Sequence, residues 1–231
     1  MSRHDGGPQR SSTMLPHLAW RVEAMIAGIA ERRPPVTGPI AQALRKVPRH
    51  WFVPSLGLVL DDDGVATPID RDCDPTAWWD AVYSDRPIAT PLGSGAAAYT
   101  CVNPSPGSVA DLLELLDPHP GQRVLEIGTG SGWITALLCR LTGESGRVTS
   151  VEQDAGVADA ARRNLIAAGA RPHLVVTGDC AGGCPERGPY DRVLAPGTAP
   201  ESWVTQAAPG AVIVGGDDRA ARLVVAAGHL R

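Results

Sequence analysis

The stretch Arg123-Val-Leu-Glu-Ile-Gly-Thr-Gly-Ser-Gly132 limits what this chain can fold into more than any other. An apolar run carrying one carboxylate, Glu126, gives way to Gly128, Gly130 and Gly132, and an apolar helical run starts at Trp133. A strand, a glycine turn and a helix in that order form the opening unit of a nucleotide-binding α/β sheet. The glycines permit a tight turn and let a ligand approach the main chain closely. The helix start then presents unpaired N–H groups and a partial positive charge to polar or anionic ligand atoms. Downstream the pattern repeats. Strands are expected at Arg123–Ile127, Arg147–Val151, His173–Thr177, Tyr190–Leu194, Ala211–Val214 and Arg222–Ala226. Helices are expected at Ser131–Leu141, about Ala155–Ala168 with Gly169 as its stop, and about Glu201–Ala208. Short strands alternating with helices predict a doubly wound, parallel α/β sheet whose ligands bind beyond the carboxyl ends of the strands.

The glycine spacing narrows the ligand. A dinucleotide fingerprint, G-x-G-x-x-G, needs its third glycine at position 133, where this chain has Trp133. No Gly-Lys-Ser/Thr follows, so a P-loop is excluded as well. The observed E-x-G-x-G-x-G resembles motif I of class I S-adenosylmethionine (SAM) methyltransferases. Glu152, 20 residues after Gly132, closes the second strand and can accept hydrogen bonds from both hydroxyls of a ribose. Asp179 closes the third strand and can accept from an adenine amino group. Glu126 closes the first and can face the amino-acid end of the cofactor. Each carboxylate alone reads as a surface acid or a helix cap; three at successive strand ends around one glycine turn point to cofactor binding. The cofactor-binding set is therefore Glu126, Gly128, Thr129, Gly130, Gly132, Glu152 and Asp179.

Residues 1–12 read as a disordered tail, 13–106 as a helical and irregular extension facing the substrate, and 107–231 as the SAM-binding domain. In the extension, apolar spacing predicts a helix from Met14 to Glu31 and a second from Gly38 to Lys46. Val47-Pro-Arg-His-Trp-Phe-Val-Pro54 follows as a rigid, buried connector in which His50 is a packing residue. Residues 55–80 read as irregular, with Asp61-Asp62-Asp63 a solvated loop. Trp78 and Trp79 read as core, whereas Tyr83, Ser84, Asp85 and Arg86 are polar groups able to line a site. Pro91–Ala98 reads as a mobile, glycine-rich stretch, and a helix is expected over Gly107–Leu116.

A net charge of −4 gives no electrostatic footprint for nucleic acid. No apolar run reaches the ~18–20 residues of a membrane span, and the amino terminus lacks the apolar segment of a signal peptide. Cys73, Cys101, Cys139, Cys180 and Cys184 are scattered and odd in number, which fits reduced thiols in a cytoplasmic protein. Cys180 and Cys184 have no second pair at ligand spacing, so no metal is expected.

The strings Val47-Pro-Arg-His-Trp-Phe-Val-Pro54, Tyr83-Ser-Asp-Arg-Pro-Ile88, Val124-Leu-Glu-Ile-Gly-Thr-Gly-Ser-Gly132, Val151-Glu152, Gly178-Asp179 and Pro189-Tyr-Asp-Arg-Val193 together resemble the motif series of the protein-L-isoaspartate O-methyltransferases. The resemblance runs in family order over residues 38 to 215. It implies a Rossmann-like class I fold, SAM as methyl donor and an Asp or isoAsp carboxylate of a peptide or protein as acceptor. The insert before Tyr83 looks more like the branch that accompanies ribosomally made peptides, whose products cyclise to an aspartimide; that substrate is slightly favoured over damaged proteins. In the family a hydroxyl precedes the helix before motif I. Here the stretch is Thr100-Cys-Val-Asn-Pro-Ser-Pro106, with Pro104 in the usual serine place, so Thr100, Asn103 or Ser105 is expected to substitute. Tyr83, Ser84 and Asp85 complete the acceptor side. The family also closes its sheet with a further antiparallel strand, and that edge is expected to be missing or shortened here. A rival reading, motivated by Pro104 and the short carboxyl end, is a SAM-binding module that recruits a partner without catalysing.

Overall fold

A computed structural model describes residues 16–31, 36, 38–91, 101–176, 179–195, 201–215, 221–226 and 229–230. The amino-terminal part opens with helix α1 (Pro16–Ala30) and helix α2 (Gly38–Lys46). A short 3-10 turn at Arg49–Trp51 follows. Strands β1 (Leu56–Leu60) and β2 (Ala66–Asp70) then form a hairpin, which corrects the expectation of an irregular stretch over 55–80. The acidic run is the hairpin loop. The Asp61 carboxylate accepts the N–H groups of Asp63 and Val65, and Gly64 takes the positive φ of 78° that the turn requires. Pro68 is tolerated because β2 is an edge strand.

Helix α3 (Pro75–Val82) begins where the Asp74 side chain accepts from the Ala77 N–H, with proline at the first helical position. Strands β3 (Ile88–Thr90) and β4 (Cys101–Asn103) complete an antiparallel four-stranded sheet in the order β2-β1-β3-β4. The amino-terminal region is therefore a small sheet flanked by helices, not a helical extension alone. Residues 1–12, most of Pro91–Ala98 and Thr100 lie outside the described residues.

Helix α4 (Pro106–Leu116) leads into the second sheet. There follow β5 (Arg123–Ile127), α5 (Trp133–Thr142), β6 (Arg147–Glu152), α6 (Ala155–Ala167) and β7 (His173–Val176). The chain then crosses back through β8 (Tyr190–Leu194), α7 (Glu201–Thr205), β9 (Ala207–Gly215), β10 (Ala221–Ala226) and β11 (His229–Leu230). The seven strands lie in the order β11-β10-β9-β8-β5-β6-β7. Pairing is parallel from β7 through β9, and antiparallel from β9 to β10 and from β10 to β11. The sheet is thus mixed, and the strand read at Arg222–Ala226 is itself part of an antiparallel edge. The expected helix over 201–208 stops at Thr205 because Ala207 pairs with Tyr190. Gly169 does end α6, with φ 71°, and Ala170 N–H returns to the Leu165 carbonyl.

Strand order reverses between β5 and β8, so the crevice at the carboxyl ends of those strands is where such a sheet binds ligands. One hydrophobic cluster runs from Val22 of α1 through Leu113 of α4 to Val214 of β9, joining both sheets into a common core. Trp133, 1% exposed, shows why a dinucleotide turn is excluded: its ring lies against the amino-terminal part, donating from Nε1 to the Val47 carbonyl at 3.1 Å.

Candidate functional site

The turn after β5 holds Gly128, Gly130 and Gly132 at φ 85°, 55° and 88°, a region L side chains rarely adopt. At Gly132, the amino-terminal cap of α5, a Cβ would also lie 3.1 Å from Leu165 Cγ. Gly128 N–H bonds the Val151 carbonyl at 2.8 Å, tying the turn to β6. Glu152, at the end of β6, closes the turn from the other side. One carboxylate oxygen accepts the Gly130 N–H at 2.9 Å; the other accepts from Gln153 and Asp154 N–H at 2.9 and 3.1 Å. A carboxylate offers about four lone-pair sites, so Glu152, 7% exposed, is mostly engaged in shaping the turn.

Glu126 is 2% exposed and sits behind the turn. Its Oε2 accepts from Thr135 Oγ1 at 2.5 Å and from Ser150 Oγ at 2.7 Å, and Thr129 Oγ1 lies 2.7 Å from that same serine. Burial pushes the Glu126 carboxyl up from 4.5 to about 7; the two hydroxyl donors oppose the rise and the Glu152 charge adds to it. Asp179 is exposed at the end of β7 and caps a 3-10 turn by accepting the Ala181 N–H at 2.8 Å. The Cys180 thiol beside it is pushed up by burial and then by the charges of Glu152 and Asp179. The structure therefore assembles Glu126, Gly128, Thr129, Gly130, Gly132 and Glu152 at the adjoining ends of β5 and β6, with Asp179 beyond the end of β7.

The acceptor-side candidates cluster around a residue the sequence did not single out. Arg49 is fully buried, and its guanidinium sits 5.4 Å from the Trp133 ring centre. Nε donates to Asn103 Oδ1 at 2.9 Å. Nη1 donates to the carbonyls of Val82 and Ser84, and Nη2 to those of Arg86, Asn103 and Pro104, at 2.8 to 3.3 Å. Burial brings this guanidinium down to about 9, with Asp85 and Tyr83 acting in the other direction. Its signal in the sequence was a lone cation inside an apolar, proline-bounded connector: a charge buried there must be fully hydrogen-bonded. Ser150 and Thr135, the partners of Glu126, gave no comparable signal.

Arg49 thus clamps segment 82–86 to segment 103–104. Asn103, fully buried, carries the clamp onward, donating from Nδ2 to Ser131 Oγ in the glycine turn at 2.9 Å. Asp85 accepts the Gly107 N–H at 2.6 Å and so caps the start of α4. Ser105 caps the same helix, accepting from Ser108 N–H at 3.2 Å. Ser84 Oγ donates to the Ala81 carbonyl. Tyr83 Oη pairs with His50 Nδ1 at 2.6 Å, and its ring stacks on Trp79. Cys101, whose thiol burial pushes up, would lie 3.5 Å from a Cβ at Gly130, so β4 borders the turn directly.

Comparison with known proteins extends these observations. Residues 64–216 match the family model described as protein-L-isoaspartate(D-aspartate) O-methyltransferase. A protein-L-isoaspartate O-methyltransferase of Aeropyrum pernix is 37% identical over 179 residues, covering 76% of this chain and 58% of that protein. Its counterpart in Methanopyrus kandleri is 37% identical, covering 76% and 67%. A solved protein-L-isoaspartate O-methyltransferase superposes with a TM-score of 0.68 at 26% identity, over 90% of this chain and 61% of its own. A Plasmodium falciparum protein solved with S-adenosyl-L-homocysteine shares the fold, with a TM-score of 0.60 at 12% identity over 88% and 89%. This chain spans about six-tenths of the Aeropyrum relative and of the first of those structures.

Proposed function

This chain belongs to the protein-L-isoaspartate(D-aspartate) O-methyltransferase family, and from that premise we propose that it transfers a methyl group from SAM to the free carboxylate of an altered aspartyl residue in a polypeptide. The observation that carries the reading is the glycine turn at the carboxyl end of β5, closed by Glu152 and joined through Ser131 and Asn103 to the clamp at Arg49. The residues fit the donor. Three left-handed glycines bare the main chain, and Glu126, Glu152 and Asp179 place acidic groups near it. When bound, SAM supplies a methyl group activated by its sulfonium.

The protein's own part is then binding and alignment. An acceptor carboxylate with an ordinary value near ~4 is ionised at neutral pH, so its oxygen attacks the methyl carbon without a general base. This agrees with a site whose hydroxyls are committed to structure: Ser105 and Ser84 bond main chain, Thr135 and Ser150 donate to Glu126, and Thr129 bonds Ser150. The products are a methyl ester and S-adenosylhomocysteine. The backbone nitrogen that follows the ester can next attack its carbonyl and expel methanol, giving a five-membered imide.

The preference for a ribosomal-peptide substrate is dropped. It rested on residues 55–85 alone, whereas the relatives carry names of protein-isoaspartate enzymes, which favours an altered aspartate in a protein. The test is incubation with methyl-labelled SAM and matched peptides holding either isoaspartate or L-aspartate. Base-labile label on the isoaspartyl peptide alone is expected. Label on neither, with SAM bound in calorimetry, would overturn the proposal in favour of a non-catalytic module.

A further inference from the structure

A large concavity lies far from the glycine turn, at the amino ends of the parallel strands. Its volume is about 1510 Å³, and its walls are the starts of β5, β6 and β7, the ends of α5 and α6, and the turn at residues 185–187. Six cations line it: Lys46, Arg123, Arg140, Arg147, Arg171 and Arg187. Only two acids do, Glu144 and Glu186. A local excess of four positive charges thus sits in a chain whose net charge is −4.

Part of this charge has an internal use. Helix ends carry partial negative charge and attract cations. Arg147 Nη1 donates to the carbonyls of residues 144–146 in the turn that follows α5, and Arg123 Nη2 donates to the carbonyls of Arg187 and Gly188. Lys46, Arg140 and Arg171 are different. All three are exposed, and none makes an ion pair or a side-chain hydrogen bond among the described residues. Two aromatic rings line the concavity: Tyr190, which is 1% exposed, and the exposed imidazole of His173, and one small ring is a poor platform for stacking successive nucleobases. A cationic groove with a single exposed imidazole suits carboxylates better than stacked bases.

We propose that this groove is a second binding site, which holds an Asp/Glu-rich segment of the polypeptide substrate at a distance from the residue being methylated. The proposal rests on the polypeptide-methylating reading above. β6 separates the groove from the glycine turn by about 17 Å at about 3.3 Å per residue. An acidic segment must round the edge of the fold to reach it, and about 12 extended residues, roughly 40 Å, provide that reach. The groove would therefore select substrates whose altered aspartate lies well apart in sequence from a run of acids. Complementary charge of this kind favours specificity and encounter, and salt weakens it.

The experiment uses the full chain and the exposed double variant Arg140→Glu/Arg171→Glu. A fluorescein-labelled peptide with six glutamates, its six-glutamine counterpart and a uridine decanucleotide are titrated by anisotropy at 50 and 300 mM salt. The glutamate peptide should bind at least tenfold more tightly than the glutamine peptide, lose affinity at high salt, and lose at least tenfold in the variant. A short isoaspartyl peptide is then methylated with and without the six-glutamate run attached through a 12-residue spacer. The run should lower KM at least fivefold in the parent and leave it unchanged in the variant, with equal kcat/KM for the untailed peptide in both. Equal binding of glutamate and glutamine peptides, tighter binding of the RNA, or a tail effect that survives in the variant would each overturn the proposal. Failure of both proteins on the untailed peptide would count against the methyltransferase reading, and the anisotropy arms would still decide the groove.

Discussion

Replacing Glu126 by Gln tests whether the pocket stores a buried, easily protonated carboxyl. Glu126 is 2% exposed, and Thr135 and Ser150 both donate to a single oxygen, which a glutamine carbonyl can replace. The group titrates at about 7 in the folded chain and ordinarily at 4.5, burial being the main cause. Because the folded value is the higher one, the native state holds the extra proton between these limits. The wild-type carboxyl's stabilising contribution is complete below pH 4.5 and is lost as pH rises through about 7. At about 1.4 kcal/mol per pH unit the full loss is about 3 kcal/mol, or roughly 6–12 °C in Tm for a chain of this size. Glu126→Gln mimics the protonated form at every pH. Urea unfolding of both proteins without added cofactor, from pH 4.5 to 8.5, should give a stability difference near zero at the acid end. It should rise to about 3 kcal/mol in favour of the variant above pH 7. Taking the difference cancels every other titrating group, including His173, which burial moves down. Parallel curves would refute the reasoning.

Other perturbations follow from the same geometry. Arg49→Met removes the hydrogen bonds to one side chain and five carbonyls, leaves those groups buried without donors, and should cost roughly 3–5 kcal/mol in chemical denaturation. Arg49→Lys, with three donors in place of a planar fork, should recover only part of that. Gly132→Ala should lower stability by about 1–2 kcal/mol from its left-handed backbone alone. Adding Leu165→Ala removes the 3.1 Å contact but should not restore stability, since φ stays at 88°; full recovery in thermal melts would contradict this. Glu152→Gln offers one carbonyl oxygen to three N–H groups, so calorimetry should show SAM affinity reduced at least tenfold.

The parallel core and its glycine turn were legible because each rests on a local pattern. Arg123–Ile127 is a largely apolar run followed by glycine, and the three left-handed positions after it strongly favour glycine. The hairpin at 56–70 was hidden for an equally local reason: Asp61-Asp62-Asp63 and Pro68 look like breakers until the first become a turn and the second an edge position. The antiparallel direction of β10 was not legible, because an alternating apolar strand carries no mark of its sense. Least legible was the proposed acceptor side. Asn103 and Asp85 lie 54 and 22 residues from the groups they bond, and nothing near either of them in sequence names the partner.

That same remoteness accounts for the tolerance of Pro104. In this chain Pro104 contributes its carbonyl to Arg49 at 2.8 Å, a contact a proline makes as well as a serine. The hydroxyl next along, on Ser105, is used to cap α4. Segment 103–105 is therefore placed by Arg49 from one side and by the helix start from the other, and Asn103 passes that placement to Ser131. The proposed donor and acceptor sides are parts of one hydrogen-bonded frame. A change at Arg49 should then disturb the acceptor more than SAM, raising peptide KM in steady-state kinetics by a larger factor than it raises the Kd of SAM. Equal factors would mean that Arg49 only holds the core together.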